Sequence, residues 1–168
     1  MLATIGYERA SVEEFVGTLK AARVSLVADV RDRAQSRRNG FSKTSLSQRL
    51  QTEGIHYIHL RELGDPKEGR IAARSGEMAK FKRIYSRVIR TPEAKRALDK
   101  IVELMDTYNV CLMCYERNHT DCHRTIISYC ITEMTEIDVV HLWVREIDSV
   151  GQPGRRMLHP REGAAAQV

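Results

Sequence analysis

Asn109-Val110-Cys111-Leu112-Met113-Cys114-Tyr115-Glu116, followed after five residues by Cys122-His123-Arg124, is the stretch from which the fold is read. Val110 to Met113 is apolar without alternation, the pattern of a strand covered on both faces. Asp121 stands where an N-cap is expected, ahead of a helix that carries Ile126, Ile127, Cys130, Ile131 and Met134. The handover from strand to helix therefore gathers thiols, a carboxylate, an imidazole and a guanidinium. Arg124 falls in the first helical turn, where free N–H groups and the positive dipole end favour an anion and an arginine is unfavourable for the helix alone. A residue that opposes the preference of its own element points to function; the plainer reading is a solvated arginine beside a structural cysteine.

Outward from this stretch, strands and helices alternate. Leu2 to Gly6 is a short apolar run, and Ser11-Val12-Glu13-Glu14 has the form of a capping box opening a helix with Phe15, Val16 and Leu19 on one face. Ser25 to Val30 reads as the second strand; Ser42 caps a helix through Leu46 and Leu50, and Ile55 to Leu60 reads as the third strand. Arg61 to Ser75 reads as a polar loop. Two further helices follow, one carrying Met78, Phe81, Tyr85 and Val88, the other opened by Thr91-Pro92, and Asp138 to Val144 closes the pattern as an apolar strand. Such alternation argues for a Rossmann-like α/β domain, a mostly parallel sheet with helices on both faces. One domain is expected over residues 1–145, with a loosely ordered tail over 146–168 that is rich in Gly and Pro.

Composition narrows the function classes. The chain has 168 residues, 29% charged and 42% hydrophobic, with no run apolar enough to cross a bilayer and no signal segment after Met1. A cytoplasmic protein without a membrane partner is expected, its four clustered cysteines reduced. The net charge of +5 is concentrated from Arg31 to Lys43, where five basic residues face the single acid Asp32. That loop would attract phosphates, or it is simply a solvated basic surface.

In parallel α/β sheets ligands bind beyond the carboxyl ends of the strands. The residues expected there are Tyr7 after the first strand, Asp29 and Arg31 at the second, His59 at the third, and Cys114, Glu116, Cys122 and Arg124 after the fourth. Asp29 and Arg31 point the same way if the strand persists, giving either an oriented anion contact or a structural ion pair.

Together these residues resemble the domain of unknown function 488 family. The pieces that carry the resemblance are Thr4-Ile5-Gly6, Asp29-Val30-Arg31, Ser36-Arg37-Arg38 with Phe41-Ser42, Tyr57-Ile58-His59-Leu60, Cys114-Tyr115-Glu116 and Cys122-His123-Arg124. Departures are Tyr7-Glu8 where a His-Ser pair is common, Tyr115 in place of a small residue, and Arg61 in place of a Pro before Glu62-Leu63-Gly64. The resemblance implies an α/β fold and a shared polar pocket, without an assigned reaction.

Four chemistries fit the residues. The first is an enzyme, a hydrolase or transferase acting on a phosphate-bearing nucleotide or on DNA or RNA. Arg31, Arg38 and Arg124 would be its anion contacts, Glu116 or Asp29 its acid or base, and Tyr7, His59 and Cys114 part of the pocket. The second is thiolate chemistry at Cys122, favoured by a helix start and by His123 and Arg124, although Arg124 follows by only two positions where phosphatases place an arginine six after the nucleophile. The third is zinc on Cys111, Cys114, Cys122 and His123; three-residue spacing along a strand sends Cys111 and Cys114 to opposite faces, so no metal set is expected and no cofactor is required. The fourth is a non-catalytic nucleic-acid-binding or regulatory module using the basic loop and the Lys80 to Arg90 helix.

Overall fold

The computed structural model describes residues 1–144; the expected tail over 146–168 lies outside the described residues. Strands β1 (Leu2–Gly6), β2 (Leu26–Asp29), β3 (His56–His59), β4 (Val110–Cys114) and β5 (Val139–Leu142) form one sheet in the order β3-β2-β4-β1-β5. All four pairings are parallel. Parallel neighbours require crossovers, which helices supply: α1 (Val12–Ala21), α2 (Lys43–Thr52), α3 (Lys67–Arg74), α4 (Met78–Val88), α5 (Pro92–Met105) and α6 (His123–Thr135). The expected Rossmann-like α/β architecture is the one observed. Among the described residues no helix is long and apolar enough to cross a membrane.

Every residue of β1, β2 and β4 is buried, as their unalternating apolar sequences require. Two cores follow from the period of two along these strands. Leu26, Ala28, Val30, Leu112 and Cys114 face one core with Phe81, Tyr85 and Ile127, whereas Ala3, Ile5, Tyr7, Val27, Cys111 and Met113 face the other with Phe15, Phe41 and Leu46. Each fully buried large side chain of this kind contributes roughly 1.5–3 kcal/mol.

Local signals at the helix starts act as the sequence suggests at Ser11, where both halves of the capping box form, and at Thr91, which accepts from Ala94 N with Pro92 at the first helical position. Two expectations are corrected. Asp121 does not cap α6: its carboxylate accepts from Asn118 Nδ2 at 2.9 Å and it closes a 3-10 turn, His119–Asp121, which leaves Cys122 as the N-cap with extended backbone. The segment read as a polar loop also contains α3, seated through Gly69 and Ala72, with Pro66 at its N-cap. At eight residues and with a strongly polar composition, this helix reads as a loop although its few small apolar residues do share one face.

Candidate functional site

The residues gathered from the sequence do meet at the carboxyl edge of the sheet, but on opposite faces of it. On the α1/α2 face, Arg31 is only 5% exposed and Asp29 is fully buried. Arg31 Nε and Nη2 donate to the two Asp29 oxygens at 2.8 and 2.6 Å, and Nη1 donates to Tyr7 Oη at 2.8 Å and to the Phe41 carbonyl at 3.0 Å. Tyr57 Oη donates to Asp29 Oδ2 at 2.6 Å, and desolvation beside that carboxylate raises its phenol far above the ordinary range. Tyr7 stacks on Phe41 with centroids 4.3 Å apart. All three guanidinium nitrogens of Arg31 are thus committed to internal acceptors, and the network ties β1, β2, β3 and the basic loop together.

His59 Nε2 lies 2.8 Å from the Arg31 carbonyl and borders a shallow concavity of about 680 Å³ with Arg33, Lys43 and Arg61. Arg38 is exposed and its Nε donates to the Ala10 carbonyl at 3.0 Å. Neither residue reaches the chemistry on the other face.

On the α3–α6 face, Cys114 ends β4, Cys122 caps α6 and His123 is its first residue. All three are buried, at 4, 2 and 4% exposure. His123 Nδ1 lies 3.9 Å from Cys114 Sγ and 3.8 Å from Cys122 Sγ, while Nε2 lies 2.8 Å from the Val30 carbonyl. The Cys114 thiol donates to Glu116 Oε2 at 3.1 Å. The loop bearing Glu116 is laced to β1 by bonds from Tyr7 N to the Cys114 carbonyl and from Glu8 N to the Tyr115 carbonyl, at 3.3 and 2.8 Å. Gly6 permits this approach, since a Cβ there would stand 1.8 Å from the Glu116 carbonyl oxygen.

Arg124 is the largest fully buried side chain among the described residues. Its Nη1 donates to the Glu116 carbonyl and its Nη2 to the Arg117 carbonyl at 2.9 Å. The arginine that opposes its helix is therefore turned back onto loop carbonyls, a cation fastening the segment that carries Glu116. Its Nε finds no hydrogen-bond partner among the described residues.

Burial and mutual charge set the protonation of this cluster. Burial pushes Glu116 up to about 7, helped by the neighbouring Cys122 sulfur and opposed by the Cys114 bond. Desolvation would raise Cys122, yet the Cys114 hydrogen bond and the positive charges of His123 and Arg124 outweigh it and hold the thiol well below its usual value. Burial lowers His123, but Cys122 more than compensates and takes it to about 9. Cys114, hydrogen-bonded towards Cys122 and desolvated, is held well above its usual value and stays a thiol.

Glu116, Cys122 and His123 form a wall of a cavity of about 320 Å³, with Cys114 behind them; Glu8, Asp65, Arg70, Arg74, Tyr115 and Asp121 also line it. Asp65 is 5% exposed, its Oδ1 has no hydrogen-bond partner among the described residues, and burial pushes it up to about 6. Arg70 Nη1 is held by Asp32 Oδ2 at 3.1 Å and by the Asp65 carbonyl. Asp65, Arg70 and Arg74 went unnoticed in the sequence because they belong to the segment read as a loop. Its one readable signal was Pro66 ahead of Lys67-Glu68, a proline and an acid at the start of a helix. Cys111, as its spacing demanded, is on the opposite face.

No curated protein and no solved structure matches this chain. A family model matches residues 11–131, which hold β2 to β4 and both cysteine motifs of the cavity. The chain belongs to the family described as Domain of unknown function DUF488.

Proposed function

We propose that the protein is an enzyme, a hydrolase or transferase, whose reaction takes place in the cavity on the α3–α6 face, with phosphate-bearing nucleotides as its substrate class. The observation that supports this most is the convergence of Glu116, Cys122 and His123, backed by Cys114, on the wall of a cavity large enough for part of a nucleotide. Glu116 is the group that gives or takes the proton. Arg70 and Arg74 supply positive charge at the cavity lining for a phosphate. Arg124 acts as a positioning residue through the Glu116 carbonyl, and the Asp29–Arg31 pair as a brace for the sheet edge.

Nucleotides, nucleosides and short RNA and DNA, assayed for binding and for turnover, test this reading. One class should bind and be consumed. Glu116→Gln is expected to leave its affinity within about twofold and to lower turnover by about 10²–10⁴, the usual range for a general acid or base. Full turnover in Glu116→Gln, or inertness of every class, contradicts the proposal.

A second reading, Cys122 as a covalent nucleophile, is favoured by one observation: it is the N-cap residue of α6, with its Sγ 3.8 Å from His123 Nδ1. A substrate adduct on Cys122, trapped by acid quench and located by mass spectrometry, would select this reading over acid–base catalysis by Glu116.

A further inference from the structure

We infer that Cys114, Cys122 and His123 form a binding site for a thiophilic divalent cation, zinc being the ion that fits, with a fourth position open to the cavity. The Sγ and imidazole nitrogen atoms of the three residues lie within 4.8 Å of one another. Tetrahedral zinc with sulfur at 2.3 Å and nitrogen at 2.0–2.1 Å sets the sulfur–nitrogen separation at about 3.6 Å. The sulfur–nitrogen separations here are 3.8 and 3.9 Å, a few tenths of an ångström from that value, and the two sulfurs, within 4.8 Å of each other, would close by at most about 1 Å to reach the roughly 3.8 Å that zinc sets.

The imidazole is already oriented for the task. A carbonyl only accepts, so the 2.8 Å contact with Val30 O places a proton on Nε2 and aims Nδ1 at both sulfurs; zinc would displace the Nδ1 proton, leaving a neutral ring with that lone pair on the metal. A metal-ligating histidine is held in this way, its second nitrogen donating to a backbone carbonyl. Charge closes as well: zinc binding would release the Cys114 proton, and the two thiolates then balance the dication. No acidic residue occupies the first turn of α6, which leaves its N-terminal dipole to the thiolates. Thiolate and imidazole ligands select zinc over magnesium or calcium.

Three protein ligands with a fourth position facing a cavity describe a catalytic rather than a structural zinc site. Glu116, two residues beyond Cys114 and outside the three-atom cluster, is placed to serve a water or substrate atom at that position. This deepens the proposed function and rests on it only for that role; the binding site itself stands on the geometry of the three ligands.

The test uses the full chain, reduced, stripped with a chelator and then given zinc. Native mass spectrometry and titration should show one zinc per chain. Cys122→Ser and His123→Gln should each weaken binding at least ~100-fold, beyond what loss of an outer-shell partner causes. Cys130→Ser, a cysteine outside the cluster, should bind within about twofold of wild type. Should the ligand variants not fold, cobalt(II) added to the wild-type chain still decides: thiolate charge-transfer bands and intense tetrahedral d–d bands are expected. Absence of bound zinc in wild type, cobalt spectra without thiolate bands, or binding unaffected by folded ligand variants overturns the site. Zinc bound without turnover of any substrate would sink the functional reading alone, and turnover by a chain that retains no zinc would sink the metal site alone.

Discussion

Asp29→Ala is expected to lower the free energy of unfolding in urea by about 3–5 kcal/mol, the cost of breaking a buried ion pair by removing one partner. The substitution strands a guanidinium that is 5% exposed and takes away the acceptor of Tyr57 Oη. Arg31 cannot swing into water without leaving Tyr7 and the Phe41 carbonyl, which would open the basic loop. The double variant Asp29→Ala/Arg31→Met should recover part of the loss, because an apolar pair of similar volume carries no uncompensated charge. A loss under about 1 kcal/mol, or no recovery in the double variant, would mean that the pair is not a structural brace and would return it to the list of ligand contacts.

Gly6→Ala should cost about 3 kcal/mol, at or above the upper end for overpacking, since the clash is with backbone and not with the end of a flexible side chain. The new Cβ would stand 1.8 Å from the Glu116 carbonyl oxygen and 2.6 Å from its carbon, so the loop must withdraw. Withdrawal would break the bond from Arg124 Nη1 to that carbonyl and draw Glu116 away from Cys114. Stability measured in urea and turnover of the identified substrate should therefore fall together. Wild-type behaviour in both would show that the loop is not pinned against β1.

The strands were legible because burial on both faces forces unbroken apolar runs at β1, β2 and β4, and Ser11 and Thr91 announce their helices by chemistry confined to a few neighbouring residues. What the sequence could not provide is the register between strands. Asp29 pairs with Met113, so its side chain shares the face of Met113 and not that of Cys114, one residue on. A common edge is readable and a common face is not, which is why Asp29 and Arg31 fall beside Glu116 in the sequence reading and across the sheet from it in the fold. The bond from His123 to Val30 spans 93 positions and likewise leaves no local trace. Arg124 was noticed for the right reason, its conflict with the helix start, but that conflict is resolved by loop carbonyls brought close by the turn before α6.

The most direct test of the account is a crystal structure of the chain grown with zinc, with anomalous scattering recorded at the zinc edge. One strong peak is expected about 2.3 Å from the sulfurs of Cys114 and Cys122 and about 2.0–2.1 Å from His123 Nδ1, with its open side towards Glu116 and the cavity. Absence of a peak there, or a peak instead at the stacked His119 and His141 rings, whose centroids are 3.6 Å apart, would contradict it.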